Sequence, residues 1–201
     1  MSGPFSKMWD AMARIPSGRV GRLMYKNPKG HIPGFRLVLE KLEIGPDDVF
    51  CEVGCGGGAL LKMALETASR AAGVDLSPDM AALAMEQNQE AVESGRLEVL
   101  EGDAENLPWD DESFTCLAAA NVFFFLPMPE AALREFCRVL APGGRMAVIT
   151  HPAGRGRWIA ERFGMRLYSN EQMQDMALVA GFTQVECTVH KRVHQLCYAV
   201  K

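Results

Sequence analysis

The sequence predicts an α/β fold of parallel βαβ units. Apolar, β-branched runs alternate with helical periodicity from residue 48 almost to the end, caps mark where the periodicity begins, and glycine or proline breakers mark where it stops. Strands are expected at 48–53, 71–75, 97–101, 114–120 and 145–150, five strands separated by four helices. Ser77-Pro78-Asp79 supplies an N-cap, a first-turn proline and an early acid, ahead of Met80, Leu83, Ala84 and Gln87 on one helix face. Leu133, Phe136, Cys137 and Leu140 repeat the core stripe in a later helix, and Ala141-Pro142-Gly143-Gly144 ends it and turns the chain. Ser169 and Gln172 read as a capping box for a helix that Gly181 terminates. Two final runs, 183–190 and 194–200, lie close enough to pair as an antiparallel hairpin.

A chain of 201 residues suits a single core. Residues 1–46 are expected to form an N-terminal helical cap and 47–201 one compact unit. A hydrophobic content of 48% with 23% charged residues argues against disorder. The longest apolar stretch, 114–128, is broken by Asn121 and Pro127, and residues 1–7 lack an apolar leader, so a cytoplasmic protein without a membrane span is expected. The six cysteines show no C-x-x-C spacing and mostly fall in apolar runs. They read as buried free thiols, with no metal site; Cys55 stands apart because it lies inside a glycine loop.

The net charge of −4 is unevenly spread: residues 1–36 carry seven basic side chains against Asp10 alone, and 151–166 carry Arg155, Arg157, Arg162 and Arg166 against Glu161. Two basic segments on an acidic chain suit an anion site or a solvated surface equally. The acidic total argues against a nucleic-acid partner. Met8, Trp9 and Met12 beside basic residues suit peripheral contact with an anionic membrane surface as an alternative use.

The motif that carries chemistry runs from Val49 to Ala59, between the first strand and a helix: Glu52-Val-Gly54-Cys55-Gly56-Gly57-Gly58. Glycines let the backbone turn tightly beside a ligand, and a following helix offers N–H donors. Gly54, Gly56 and Ala59 also satisfy a dinucleotide pattern, so an NAD-dependent oxidoreductase is one reading. Glu52 separates the readings, because a carboxylate facing a diphosphate at about 4 Å in a partly buried site costs several kcal/mol, whereas it suits an ammonium or sulfonium. Asp75 ends the second strand about twenty residues on, where an acid accepts from both ribose hydroxyls in either reading.

With those residues in place, the chain resembles the class I S-adenosyl-L-methionine (SAM)-dependent methyltransferases, of the type 11-like domain. Glu52-x-Gly54-x-Gly56-x-Gly58, Gly73-Val-Asp75-Leu-Ser-Pro, Gly102-Asp103-Ala104-Glu-Asn-Leu-Pro108 and Leu140-Ala-Pro-Gly-Gly144 follow the family's order over about half of the chain. The resemblance implies a Rossmann-like doubly wound seven-stranded sheet, mostly parallel with an antiparallel last strand and helices on both faces. It implies that Glu52, Gly54, Cys55 and Gly56 cradle the methionine part of the cofactor and that Asp75 binds its ribose. Leu76 and Met80 would pack on the adenine, Asp103 and the Ala104 N–H would meet its edge, and Asn121 would contact the methionine end. One departure stands out: many relatives carry Asp after the aromatic that opens strand four, where this chain reads Phe114-Thr115-Cys116.

The resemblance further implies methyl transfer to a small-molecule acceptor, with S-adenosyl-L-homocysteine (SAH) as product and a non-catalytic SAM-binding protein as the alternative. An in-line displacement at a methyl carbon needs chiefly alignment, and a base only where the acceptor must lose a proton. His151, just after the fifth strand, is the first candidate for that base, with Tyr25 and His31 behind it. Phe124, in a run of three phenylalanines, Arg155 and Trp158 are candidate acceptor contacts, the basic segments forming a lid over an anionic acceptor.

Overall fold

The computed structural model describes residues 16–154, 157–162 and 164–201. Two helices, α1 (Gly18–Tyr25) and α2 (Ile32–Leu42), precede β1 (Val49–Val53). Then follow α3 (Ala59–Ala64), β2 (Arg70–Asp75), α4 (Pro78–Gln87), α5 (Gln89–Glu93), β3 (Leu97–Glu101) and β4 (Phe114–Ala120). A 3₁₀ turn at Phe123–Phe125 leads to α6 (Pro129–Val139), β5 (Leu140–Thr150), α7 (Arg157–Arg162), α8 (Asn170–Val179), β6 (Thr183–His190) and β7 (His194–Val200).

The seven strands form one sheet in the order β3-β2-β1-β4-β5-β7-β6. β1 pairs in parallel with both β2 and β4, and β7 runs antiparallel to β5 and β6. This is the expected doubly wound sheet, with its antiparallel strand inserted between β5 and β6. The order reverses between β1 and β4, which opens a crevice beyond their carboxyl ends.

Alternation along each central strand builds two cores. Cys51, Val53, Leu117, Ala119, Met146 and Val148 face α6 and α8, where Leu133, Phe136, Met173 and Ala177 meet them. Phe50, Cys116, Ala118, Ala147 and Ile149 face the opposite layer, where Phe35, Val38 and Leu42 of α2 pack beside Leu60 and Leu61 of α3 and Ala81 and Ala84 of α4. Residues 32–42 therefore share the core of the unit they precede.

The local signals act as expected at two helix starts. Ser77 Oγ accepts from the Met80 N–H at 3.4 Å, and Ser169 forms a reciprocal capping box with Gln172. Two expectations change. No helix separates β3 from β4; residues 102–113 cross as a loop, while α4 and α5 together fill the β2–β3 connection. The Ala141–Gly144 segment does not end the chain's run before a strand at 145. β5 begins at Leu140, opposite Phe114, and absorbs the segment through a register irregularity. Gly143 adopts φ 76°, and its N–H donates to the Lys201 carbonyl, so pairing with the C-terminus carries the breaker residues into the sheet.

Thr115 accounts for the departure in strand four. Its hydroxyl donates to Asp48 Oδ1 at 2.6 Å and accepts from the Val49 N–H at 3.0 Å. Asp48 in turn accepts from Arg145 at 2.7 Å, so an acid on the lead to β1 ties that strand to the start of β4 and to β5.

Candidate functional site

The crevice holds a cavity of about 260 Å³, lined by the ends of β1, β2 and β4, the glycine loop, the β3–β4 loop and the segment ahead of α2. Within the loop, the N–H groups of Gly54 and Cys55 both donate to the Val74 carbonyl, at 2.8 and 3.0 Å. The Gly56 N–H donates to Asp75 Oδ2 at 2.8 Å. These three donors are spent on the protein itself, so the loop shapes a smooth wall and does not offer them to a diphosphate. Gly56 and Gly57 also admit a close neighbour. Tyr25 lies over both, and a Cβ on Gly57 would collide with the Tyr25 carbonyl oxygen.

Three carboxylates line the cavity. Glu52 is 2% exposed, and its Oε2 accepts from the Leu61 N–H at 3.1 Å. Burial pushes its carboxyl well above the usual range, and the nearby Asp75 charge adds to the rise. Asp75 accepts from Gly56 on one oxygen and from the Ser77 N–H at 2.9 Å on the other, which fixes its plane at the end of β2. Its carboxyl too is raised by burial, partly offset by those hydrogen bonds. Asp103 Oδ1 accepts from the Glu105 N–H at 3.0 Å, a local turn that presents Asp103 and Ala104 to the cavity.

The opposite end is aromatic and apolar. His31, the N-cap of α2, meets Phe35 and Tyr25 edge-on, with ring centroids 6.0 and 6.4 Å away. Its Nδ1 lies 3.4 Å from Asn121 Nδ2. Asn121 takes the left-handed conformation, φ 59°, as β4 ends, and its N–H donates to the Ile149 carbonyl. Burial, then the nearby His151 and His194 charges, push the His31 imidazole below its ordinary value.

The crevice thus gathers Glu52, Gly54, Cys55, Gly56, Asp75, Leu76, Asp103, Ala104 and Asn121, together with Tyr25 and His31. It does not gather Met80, which is fully buried beneath α4 because its helical position faces inward from the cap. Nor does it gather His151: beyond Thr150 the ring is exposed, stacked on Phe124 at 5.5 Å, with Nδ1 3.2 Å from the Val193 carbonyl. Phe124 turns into a small core with Ala160 and Leu167, and the next residue, Phe125, lines the cavity instead. Trp158 is 68% exposed and stands outside the lining. Arg155, Met8, Trp9 and Met12 lie outside the described residues. Sequence reasoning passed over Phe35, Val122 and Phe125 as cavity residues. A helical spacing from His31 to Phe35 was the available signal for the first.

Pro16 to Tyr25 is fastened over this site by α4. Ser77 Oγ donates to the Pro16 carbonyl at 2.5 Å, the Gly18 N–H donates to Asp79 Oδ2 at 2.6 Å, and Arg22 pairs with Glu86. Gln87 Nε2 reaches the Gly57 carbonyl at 2.5 Å, so α4 grips both the overlying segment and the glycine loop.

Comparison with known proteins agrees with this geometry. Residues 51–148 match the family described as a methyltransferase domain. The chain is 35% identical over 128 residues to the phthiotriol/phenolphthiotriol dimycocerosates methyltransferase of Mycobacterium leprae, covering 61% of this chain and 46% of that protein. It is 30% identical over 113 residues to a sterol 4-C-methyltransferase of Caenorhabditis elegans, covering 55% of this chain and 33% of the other. The chain therefore spans less than half the length of these two relatives. In structure, a Haemonchus contortus phosphoethanolamine N-methyltransferase solved with SAM superposes with a TM-score of 0.81 at 17% identity, over 100% of this chain and 60% of that one. The matched residues include those that build the glycine loop, the Asp75 strand end and the Asp103 loop, so residues 51–148 match a class I SAM-dependent methyltransferase domain.

Proposed function

We propose that the crevice binds SAM and that the chain transfers its methyl group to a small-molecule acceptor entering beneath the Pro16–His31 segment. The observation that carries the reading is the polar lining, rich in acceptors: a buried carboxyl at Glu52, a doubly anchored carboxyl at Asp75, and a loop whose amides are bonded within the protein. Such a lining fits an ammonium-bearing tail, a ribose diol and no diphosphate. Asp103 and Ala104 supply an acceptor and an N–H for a purine edge, with Leu76 against its face. When bound, SAM supplies an activated methyl carbon on a sulfonium.

The chain's own contribution is chiefly alignment, which supplies roughly 7–11 kcal/mol in a well-oriented displacement. Tyr25, Phe35 and Phe125 wall the acceptor end and exclude water, while His31 stands there as the group that takes a proton from a hydroxyl or ammonium acceptor. Its lowered pKa keeps the ring neutral, and able to accept, at neutral pH. His31 replaces His151 in that role, and the three carboxylates of the lining favour an uncharged or cationic acceptor over an anionic one. The test is incubation with deuteromethyl-labelled SAM and fractionated metabolite extracts, read by mass spectrometry. A labelled small molecule formed only with active protein is expected. Tight SAH binding with no labelled product across the fractions contradicts the catalytic reading and leaves a SAM-binding protein.

A further inference from the structure

Two cysteines that methyl transfer leaves unused face each other across the last two strands. β6 and β7 are antiparallel with Cys187 directly opposite Cys197, so both side chains stand on one face of the sheet. Directly opposed residues hold their Cβ atoms about 4.5–5.5 Å apart, a short adjustment from the roughly 3.5–4.5 Å of a disulfide. Cys187 packs against the same core cluster that contains Cys197. Their surroundings differ. Cys197 is 1% exposed in the core beneath α8, whereas Cys187 is half-buried on β6, the outermost strand of the sheet.

We propose that Cys187 and Cys197 form a reversible oxidation site, at which a peroxide converts the thiol pair into a disulfide that staples β6 to β7. The neighbouring Cys197 holds the Cys187 thiol below its ordinary range, while Cys187 and burial push Cys197 up. Cys187 is therefore the attacking sulfur and Cys197 the resolving one. The Cys187 thiolate attacks the peroxide O–O bond, taking one oxygen as a sulfenic acid while the other leaves, with a proton, as water. The Cys197 sulfur gives up its proton and displaces hydroxide from the sulfenic sulfur; the S–S bond forms, and proton and hydroxide leave as a second water. One peroxide is reduced and two thiols are oxidised. A dithiol reverses the step. The other four cysteines sit buried on separate elements, without such a half-exposed partner.

The test treats the full chain with hydrogen peroxide, then counts alkylatable thiols after denaturation and maps peptides without reduction. A fall from six thiols to four, a peptide joining 187 to 197, a mass lower by two hydrogen atoms, an upward shift in the melting midpoint and full reversal by dithiothreitol are expected. Cys197→Ala should accumulate a sulfenic acid on Cys187 that dimedone traps, and Cys187→Ala should keep its remaining thiols. Retention of all six thiols, linkage of a different pair, or linkage between molecules overturns the proposal. Should Cys197→Ala fail to fold, the peptide map of the unaltered chain and the Cys187→Ala variant decide alone.

Discussion

At the scale of single residues, Glu52 sets the strongest expectation. Its carboxyl is raised in the folded chain, so the folded state holds the proton more tightly than the unfolded one. The contribution of Glu52 to the stability of the empty protein is then fully present below the ordinary carboxylate range and is lost as pH rises through the raised value. A ligand with an ammonium group restores the charged form, so the rise in melting midpoint produced by SAH should grow with pH across that same interval. Glu52→Gln keeps an oxygen for the Leu61 N–H but removes the charge. It should flatten this pH dependence and weaken SAH about ten- to hundredfold, the worth of a charge-assisted hydrogen bond, by titration calorimetry. His31→Asn should lower turnover of a hydroxyl or ammonium acceptor by about a hundredfold or more while leaving SAH affinity within a factor of a few. In the unaltered protein the rate should fall as pH drops through the lowered His31 value, because the protonated ring cannot accept. The glycine loop, Asp75 and Asp103 were legible because backbone turn and strand end fix where they point. Met80, Phe124 and His151 were not, since a position along the chain does not say which way a ring or thioether turns once packed. His31 was obscured for a related reason: its partner Asn121 lies ninety residues away.

At the scale of elements, the β3–β4 loop depends on a helix it precedes. Arg138 of α6 donates to the Trp109 carbonyl at 2.8 Å and the Leu107 carbonyl at 3.1 Å, and pairs with Asp111 and Glu135. Glu135 accepts from the Leu107 N–H at 2.8 Å, so the two side chains clamp the loop that carries Asp103 and Ala104. The Arg138 side chain is 30% exposed, which discounts its ion pairs. Arg138→Ala should therefore cost about 1–2 kcal/mol of stability, read by urea denaturation, and weaken SAH chiefly through faster dissociation. Helix caps and strand periodicity were readable in the sequence because both are local. The bulged entry of β5 was hidden, because Pro142-Gly143-Gly144 signals a turn unless a distant strand, here the C-terminal residue Lys201, supplies the pairing that keeps it in the sheet. The loop that replaced an expected helix between β3 and β4 follows from Pro108 and the run of acids around it, which favour turns over helix.

At the scale of the molecule, the doubly wound sheet places the ends of β1, β2 and β4 around one crevice, and the segment from Pro16 to Tyr25, fastened by α4, lies across it. No helix among the described residues is long and apolar enough to cross a membrane. Topology was readable from the order of motifs, whereas the closure of the crevice by the N-terminal segment depends on contacts such as Tyr25 over Gly56, which no local pattern announces. The most direct measurement is a calorimetric titration of the unaltered protein and of Asp75→Ala with SAH and, separately, with NAD. Saturable one-to-one binding of SAH that Asp75→Ala abolishes, with no heat from NAD, is the result expected of a crevice built for a cationic nucleoside tail. Saturable binding of NAD with none of SAH would contradict it.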